Sequence, residues 1–277
     1  MKHDEGWLRA PSGPSLYYQS WIPVDDCIAI LLLAHGLAEH SGRYEHFAAF
    51  FVARGYAVFA LDHFGHGKSD GDRCHIARFS QYTDGISLLL DRAREECPEI
   101  AVVLVGHSMG GLIATRFLID RQADFAGCVL SGAAVKPAVE LSSIQRLMMR
   151  FFAKVLPRLR ILSLDASQVS RDPAVVDRYR KDPLVFTGKV TARLAEQLFS
   201  TMVWIEDKLT AIELPMLVLH GSADRLTLLE GSKMLHREIS SRNKKLIIYE
   251  GLYHEVYNEP EQEDVMSDVA NWLVSLR

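Results

Sequence analysis

Gly106-His107-Ser108-Met109-Gly110 stands between the aliphatic run 101–106, AVVLVG, and the apolar segment 110–122, GGLIATRFLIDRQ. G-x-S-x-G between a strand and a helix is the setting of a nucleophile elbow, a turn so tight that side chains two residues either side of the serine would collide. Such a turn holds Ser108 at the carboxyl edge of a sheet, where the next helix points its N-terminus. A serine hydroxyl attacks a carbonyl effectively only when a base takes its proton, so the chemistry also demands a histidine and a carboxylate that orients it. In this topology the chain order is Ser, then Asp or Glu, then His. Past Ser108 the histidines are His220, His236 and His254. His220 ends a strand-like run ahead of the acid candidate, and His236 falls in a helical pattern. His254, in YEGLYHEVYNEPE, occupies the loop between the last strand and the last helix, from which an imidazole can reach the elbow. Asp224, in LHGSADRL, lies in the loop after the penultimate strand. An isolated Asp there would only close an Asx turn; with Ser108 and His254 it completes a triad.

Attack on a carbonyl creates an oxyanion, and removing one preorganised donor to it typically costs about 10²–10³ in kcat. The start of the helix after Ser108 supplies the Met109 N–H. A second donor is expected from the loop AHGLAEHSGRY, where Leu37 offers its amide.

The elements that must hold these groups follow a regular alternation. Short aliphatic runs at 27–36, 56–62, 101–106, 126–132, 215–221 and 245–251 end at Gly or Asp and are hydrophobic on both sides, as strands covered by helices on both faces must be. Helical patterns lie between them at 43–55, 83–97, 110–122, 231–242 and 259–276. Alternation of this kind builds βαβ units and a mostly parallel sheet. From Val135 to Glu213 no strand-like run appears, so this interval reads as a helical lid inserted into the sheet, leaving 1–134 and 214–277 as the core.

Within the insertion, SSIQRLMMRFFAKVLP places Ile144, Leu147, Met148, Phe151, Phe152 and Val155 on one helical face and Arg146, Arg150 and Lys154 on another, with Pro157 ending the helix. The apolar face either packs on the core, borders an acyl tunnel or rests on a lipid surface, where the basic stripe would meet anionic headgroups.

Composition narrows the remaining classes. With 48% hydrophobic and 24% charged residues a sizeable core forms and disorder is not expected. A net charge of −4 argues against a phosphate-tracking, nucleic-acid-binding surface. Cys27, Cys74, Cys97 and Cys128 form no C-x-x-C pair, which fits a reducing compartment. The N-terminus lacks a continuous apolar region and no stretch reaches 18 apolar residues, so a soluble, cytoplasmic protein is expected, and peripheral contact with a membrane surface is one of the uses open to the helix near 144–155.

HGLAEHSGRY, LDHFGHGKSDG, GHSMGG, GSADRL and YEGLYHEVYNEPE, in this order, resemble the monoacylglycerol lipase family of serine hydrolases in its bacterial form, and the likeness runs from about Leu16 to Trp272. It implies an α/β-hydrolase fold: a mostly parallel central sheet with helices on both faces and a helical cap insertion. It also implies hydrolysis of a monoacylglycerol to glycerol and fatty acid with no cofactor or metal, and a triad of Ser108, Asp224 and His254. In the family the pocket for the glycerol end is associated with the Glu and Arg of the H-G-x-x-E-x-x-x-R loop, here Glu39 and Arg43, which could equally pair as residues four apart on a helix start. Tyr179, in VDRYRKDPL, is a further candidate contact. His63 and His66 match no zinc motif and belong to a loop the family carries as scaffold. Mammalian members have a histidine three residues after the catalytic one, where this chain has Tyr257, so the glycerol hydroxyls would be recognised differently. The alternatives are a lysophospholipase or medium-chain carboxylesterase and, more remotely, a non-catalytic ligand receptor on the same fold.

Overall fold

The computed structural model describes residues 1–9 and 13–276. In chain order the strands are β1 (Lys2–Arg9), β2 (Ser15–Ile22), β3 (Ala29–Ala34), β4 (Tyr56–Leu61), β5 (Val102–His107), β6 (Gly127–Ser131), the short β7 (Arg160–Leu162) and β8 (Val190–Thr191), then β9 (Met216–Gly221) and β10 (Lys244–Tyr249). The helices are α1 (Glu45–Val52), α2 (Ser80–Glu96), α3 (Met109–Arg121), α4 (Ser143–Val155), α5 (Pro173–Lys181), α6 (Ala192–Glu206), α7 (Leu229–Glu238) and α8 (Gln262–Val274). One sheet runs in the order β1-β2-β4-β3-β5-β6-β9-β10. β4, β3, β5, β6, β9 and β10 are parallel, and β1 and β2 form an antiparallel hairpin added to the β4 edge.

The alternation of side chains along each strand splits the core into two layers. Ile30, Leu32 and Ala34 face one layer with Ile86, Leu89 and Leu90 of α2 and Leu112, Ile113 and Leu118 of α3. Leu31 and Leu33 face the other, with Phe47 and Phe51 of α1 and Val265, Val269 and Trp272 of α8. Helices on both faces explain why the central strands are apolar throughout rather than alternating.

Two features depart from the sequence reading. The hairpin β1–β2 lies ahead of the first expected strand, and its polar β1, KHDEGWLR, offers no apolar run. The interval 135–213 also contains strand: β7 pairs antiparallel with β8. Strands of three and two residues are too short to carry a legible alternation.

Candidate active site

Ser108 sits between β5 and α3 with φ 52 and ψ −115, a left-handed conformation that a residue with a Cβ adopts only under constraint. The constraint is mutual with its neighbours. Ser108 N–H donates to the Ser131 carbonyl of β6 at 3.0 Å, and Ala134 N–H donates to the Ser108 carbonyl at 3.0 Å. A Cβ on Gly106 would stand 2.6 Å from the Gly110 carbonyl oxygen, and one on Gly110 would overlap the Ala34 carbonyl. No neighbour can give way at either position, because the obstructing atoms are backbone.

Asp224 and His254 meet directly. His254 follows β10, Asp224 follows β9, and His254 Nδ1 lies 2.7 Å from Asp224 Oδ2. The Asx turn is present as well: Asp224 Oδ1 accepts the N–H groups of Leu226 and Thr227 at 2.8 and 3.0 Å. Thr227 Oγ1 completes the ring around the carboxylate, 2.7 Å from Oδ2. Burial opposes the Asp224 charge, but His254 and the Thr227 donors outweigh it and hold the carboxyl well below its ordinary range. His254 is displaced the other way: burial would lower it, yet the Asp224 carboxylate, with Glu255 and Glu39 beyond, raises it above the usual value of 6.5. His220 also approaches Asp224 Oδ2, at 3.4 Å, but it is fully buried and turned to Ser232 Oγ at 2.8 Å. His236 lies on α7.

Ser108, His254, Leu37, Met109, Glu39 and Tyr179 all line one cavity of about 360 Å³, a volume suited to a small organic ligand. Much of the rest of its wall is apolar and comes from the interval 135–213, including Leu162, Leu164, Leu198, Phe199 and Met202. Neither α4 nor its apolar face contributes to that wall. Ile144, Leu147, Met148, Phe151, Phe152 and Val155 are each 46–72% exposed, so this face neither packs on the core nor borders the cavity. That removes two of the three uses the sequence allowed for it.

Arg43 stands behind the cavity rather than in it. Its guanidinium reaches Glu39 Oε2 at 2.6 Å, makes a two-pronged pair with Glu255 at 2.7 Å on each arm, and lies 4.6 Å from the centre of the Tyr179 ring. The i,i+4 pairing therefore exists, and through it Arg43 gathers Glu39, Glu255 and Tyr179 on one side of the cavity. Burial would raise the Glu255 carboxyl, but Arg43 outweighs it and holds it well below the usual carboxylate range. Glu39 Oε1 also accepts the Gly36 N–H at 2.6 Å and the Tyr44 hydroxyl at 2.8 Å, so the loop carrying Leu37 folds around this carboxylate. Tyr257 is buried with its ring 5.0 Å from that of Phe47 and does not line the cavity. His63 and His66 are buried beside His35, with ring centres 4.3 and 5.5 Å from it, and burial keeps all three neutral.

Sequence reasoning missed Glu255 and Thr227. Glu255 adjoins His254, but nothing in a lone glutamate announces that it is buried. Thr227 carried a usable signal: a hydroxyl three residues after an Asx-turn aspartate is placed to close the turn.

Comparison with known proteins identifies the family. Residues 25–261 match the model of the family described as serine aminopeptidase, S33. A monoacylglycerol lipase of Mycolicibacterium smegmatis is 39% identical over 95% of this chain and 94% of its own. The human monoglyceride lipase is 35% identical over 96% and 88%. The crystal structure of the Paleococcus ferrophilus monoacylglycerol lipase superposes with a TM-score of 0.83 at 32% identity, covering 95% of this chain and 99% of that one. With a mostly parallel eight-stranded sheet and likeness along nearly its whole length, the chain belongs to the monoacylglycerol lipase family of α/β-hydrolases.

Proposed function

We propose that the protein is a serine esterase that hydrolyses monoacylglycerols to glycerol and free fatty acid. Ser108 Oγ attacks the ester carbonyl carbon as His254 Nε2 takes its proton, and the N–H groups of Leu37 and Met109 receive the oxyanion. His254 then returns the proton to the departing glycerol oxygen, leaving an acyl-serine. Water, deprotonated by the same imidazole, attacks the acyl carbon and releases the fatty acid.

The observation that carries this reading is the division of one cavity between an apolar wall from the insertion and the polar group of Glu39, Glu255 and Tyr179 beside His254. An acyl chain needs the first and a small hydroxylated head needs the second. The two carboxylates outnumber Arg43, so an anionic phosphate head is disfavoured there. A lysophospholipase is accordingly the weaker alternative. Residues 135–213 act as the lid that supplies the apolar wall.

The exposed apolar face of α4, flanked by exposed Val139, Leu156, Leu159, Ile161 and Leu162, supports docking on a lipid surface, with Arg146, Arg150 and Lys154 exposed for anionic headgroups. Among the described residues no helix is long and apolar enough to cross a membrane, so the contact would be peripheral.

The test is a hydrolysis profile over monoacyl-, diacyl- and triacylglycerols and lysophosphatidylcholine of one chain length, with Ser108→Ala as control. Monoacylglycerol should dominate and the variant should be nearly inactive. Preferred turnover of the lysophospholipid or of triacylglycerol would overturn the substrate assignment, and failure of a fluorophosphonate to label Ser108 would favour a receptor.

A further inference from the structure

The loop that carries Leu37 is gripped by the insertion at two points. Ala38 is buried and left-handed, with φ 69, so something must hold it in a conformation its Cβ disfavours. Its carbonyl accepts the N–H of Phe186 at 2.8 Å. Two residues further on, His40 Nε2 lies 2.9 Å from Asp182 Oδ2. The proton of that bond can be assigned. His40 Nδ1 accepts the Gly42 N–H at 3.2 Å, so Nε2 carries the hydrogen and donates it to the carboxylate.

Asp182 also builds the other grip. It ends α5, its Oδ1 accepts the Leu184 N–H at 2.8 Å, and its carbonyl accepts the Val185 N–H at 3.2 Å. One carboxylate thus holds His40 and shapes the turn that presents the Phe186 N–H to Ala38. Asp182 does not line the main cavity, so it cannot act by touching an acyl chain there.

We propose that Asp182 is a positioning residue for the oxyanion hole: through His40 and the 182–186 turn, it fixes loop 36–40 so that the Leu37 N–H faces the reacting carbonyl. The inference rests on the reading of Leu37 as an oxyanion donor. It gives the insertion a part in the chemical step, separate from its part in holding the acyl chain.

The two roles come apart with a short ester. Asp182→Asn, His40→Leu and His40→Gln are assayed on p-nitrophenyl acetate, whose acyl group is too short to need the apolar wall, and on a long-chain monoacylglycerol. Affinity for phenylboronic acid, which mimics the tetrahedral anion, is measured beside them. An asparagine can keep the Leu184 bond only by turning its NH2 toward His40, which breaks that grip. In Asp182→Asn and His40→Leu, kcat should fall at least tenfold on both esters, short of the about 10²–10³ that losing a donor outright costs. KM should stay within about threefold, and boronate affinity should fall in step with kcat. Glutamine can place its NH2 near the His40 Nε2 position, so His40→Gln should recover most of the turnover lost in His40→Leu. A folded Asp182→Asn with unchanged kcat on the short ester would overturn the proposal, as would a loss confined to KM for the long substrate. His40→Gln as impaired as His40→Leu would overturn it too. These failures leave fluorophosphonate labelling of wild-type Ser108 intact, whereas an unlabelled wild type would overturn the underlying reading and this inference together.

Discussion

Replacing Asp224 by Asn should stop turnover while leaving the loop in place. Oδ1 accepts two main-chain N–H groups, from Leu226 and Thr227, whereas Oδ2 faces His254 Nδ1 and the Thr227 hydroxyl. An asparagine keeps its carbonyl oxygen toward the two amides, because the reverse orientation would set its NH2 against two N–H donors. The NH2 then points at His254. The Thr227 hydroxyl loses nothing, since the Gly132 carbonyl lies 3.0 Å away as an alternative acceptor. His254 has no such freedom: Nδ1 must now accept, which puts the ring hydrogen on Nε2, the nitrogen that has to take the Ser108 proton. A wrong tautomer of this kind costs about 10⁴ in kcat, or about 5 kcal/mol of barrier. Initial rates on p-nitrophenyl butyrate at pH 8, normalised to folded protein, would measure it. Residual activity above roughly one hundredth of wild type would refute the assigned hydrogen-bond directions, or show that another imidazole serves as the base.

The pH profile follows from the same pair. The proposed mechanism needs neutral His254, whose pKa is raised by Asp224, so kcat/KM should fall toward acid with a midpoint above 6.5, and a midpoint at or below that value would contradict the proposal. Arg43→Met should leave the buried carboxylates of Glu39 and Glu255 facing each other without a cation. A broken buried pair costs about 3–5 kcal/mol, or roughly 10 °C in a thermal scan at pH 7 for a domain of this size. The deficit should shrink at pH 5, where one carboxylate takes up a proton, and a fall of under 2 °C at pH 7 would show that the cluster carries little charge. Leu147→Ser with Phe151→Ser should lower co-sedimentation with anionic vesicles severalfold while p-nitrophenyl acetate turnover stays unchanged; undiminished sedimentation would remove α4 as the docking face.

What could be read in the sequence was whatever sterics or chemical necessity permits in only one way. Gly106 and Gly110 could be read because each meets backbone with no room for a Cβ. That Asp224 and His254 meet could be read because chain order and position after a strand leave few candidates. The polar strand β1 could not, although its partner β2 carries Tyr17, Tyr18 and Trp21, an aromatic signal that suits a strand. Glu255 shows the opposite limit, since its role depends on a partner 212 residues away. The apolar face of α4 is the instructive case. The periodicity that marks an amphipathic helix is the same whether the face meets a core, a ligand or a membrane, because the pattern records only that water is to be avoided. Which of these applies depends on where neighbouring elements leave space. Here α6 and the 162–169 segment already wall the cavity and α4 has its hydrophobic side outward, which is the observation the proposed docking on a lipid surface rests on, since burial there would take that side out of water.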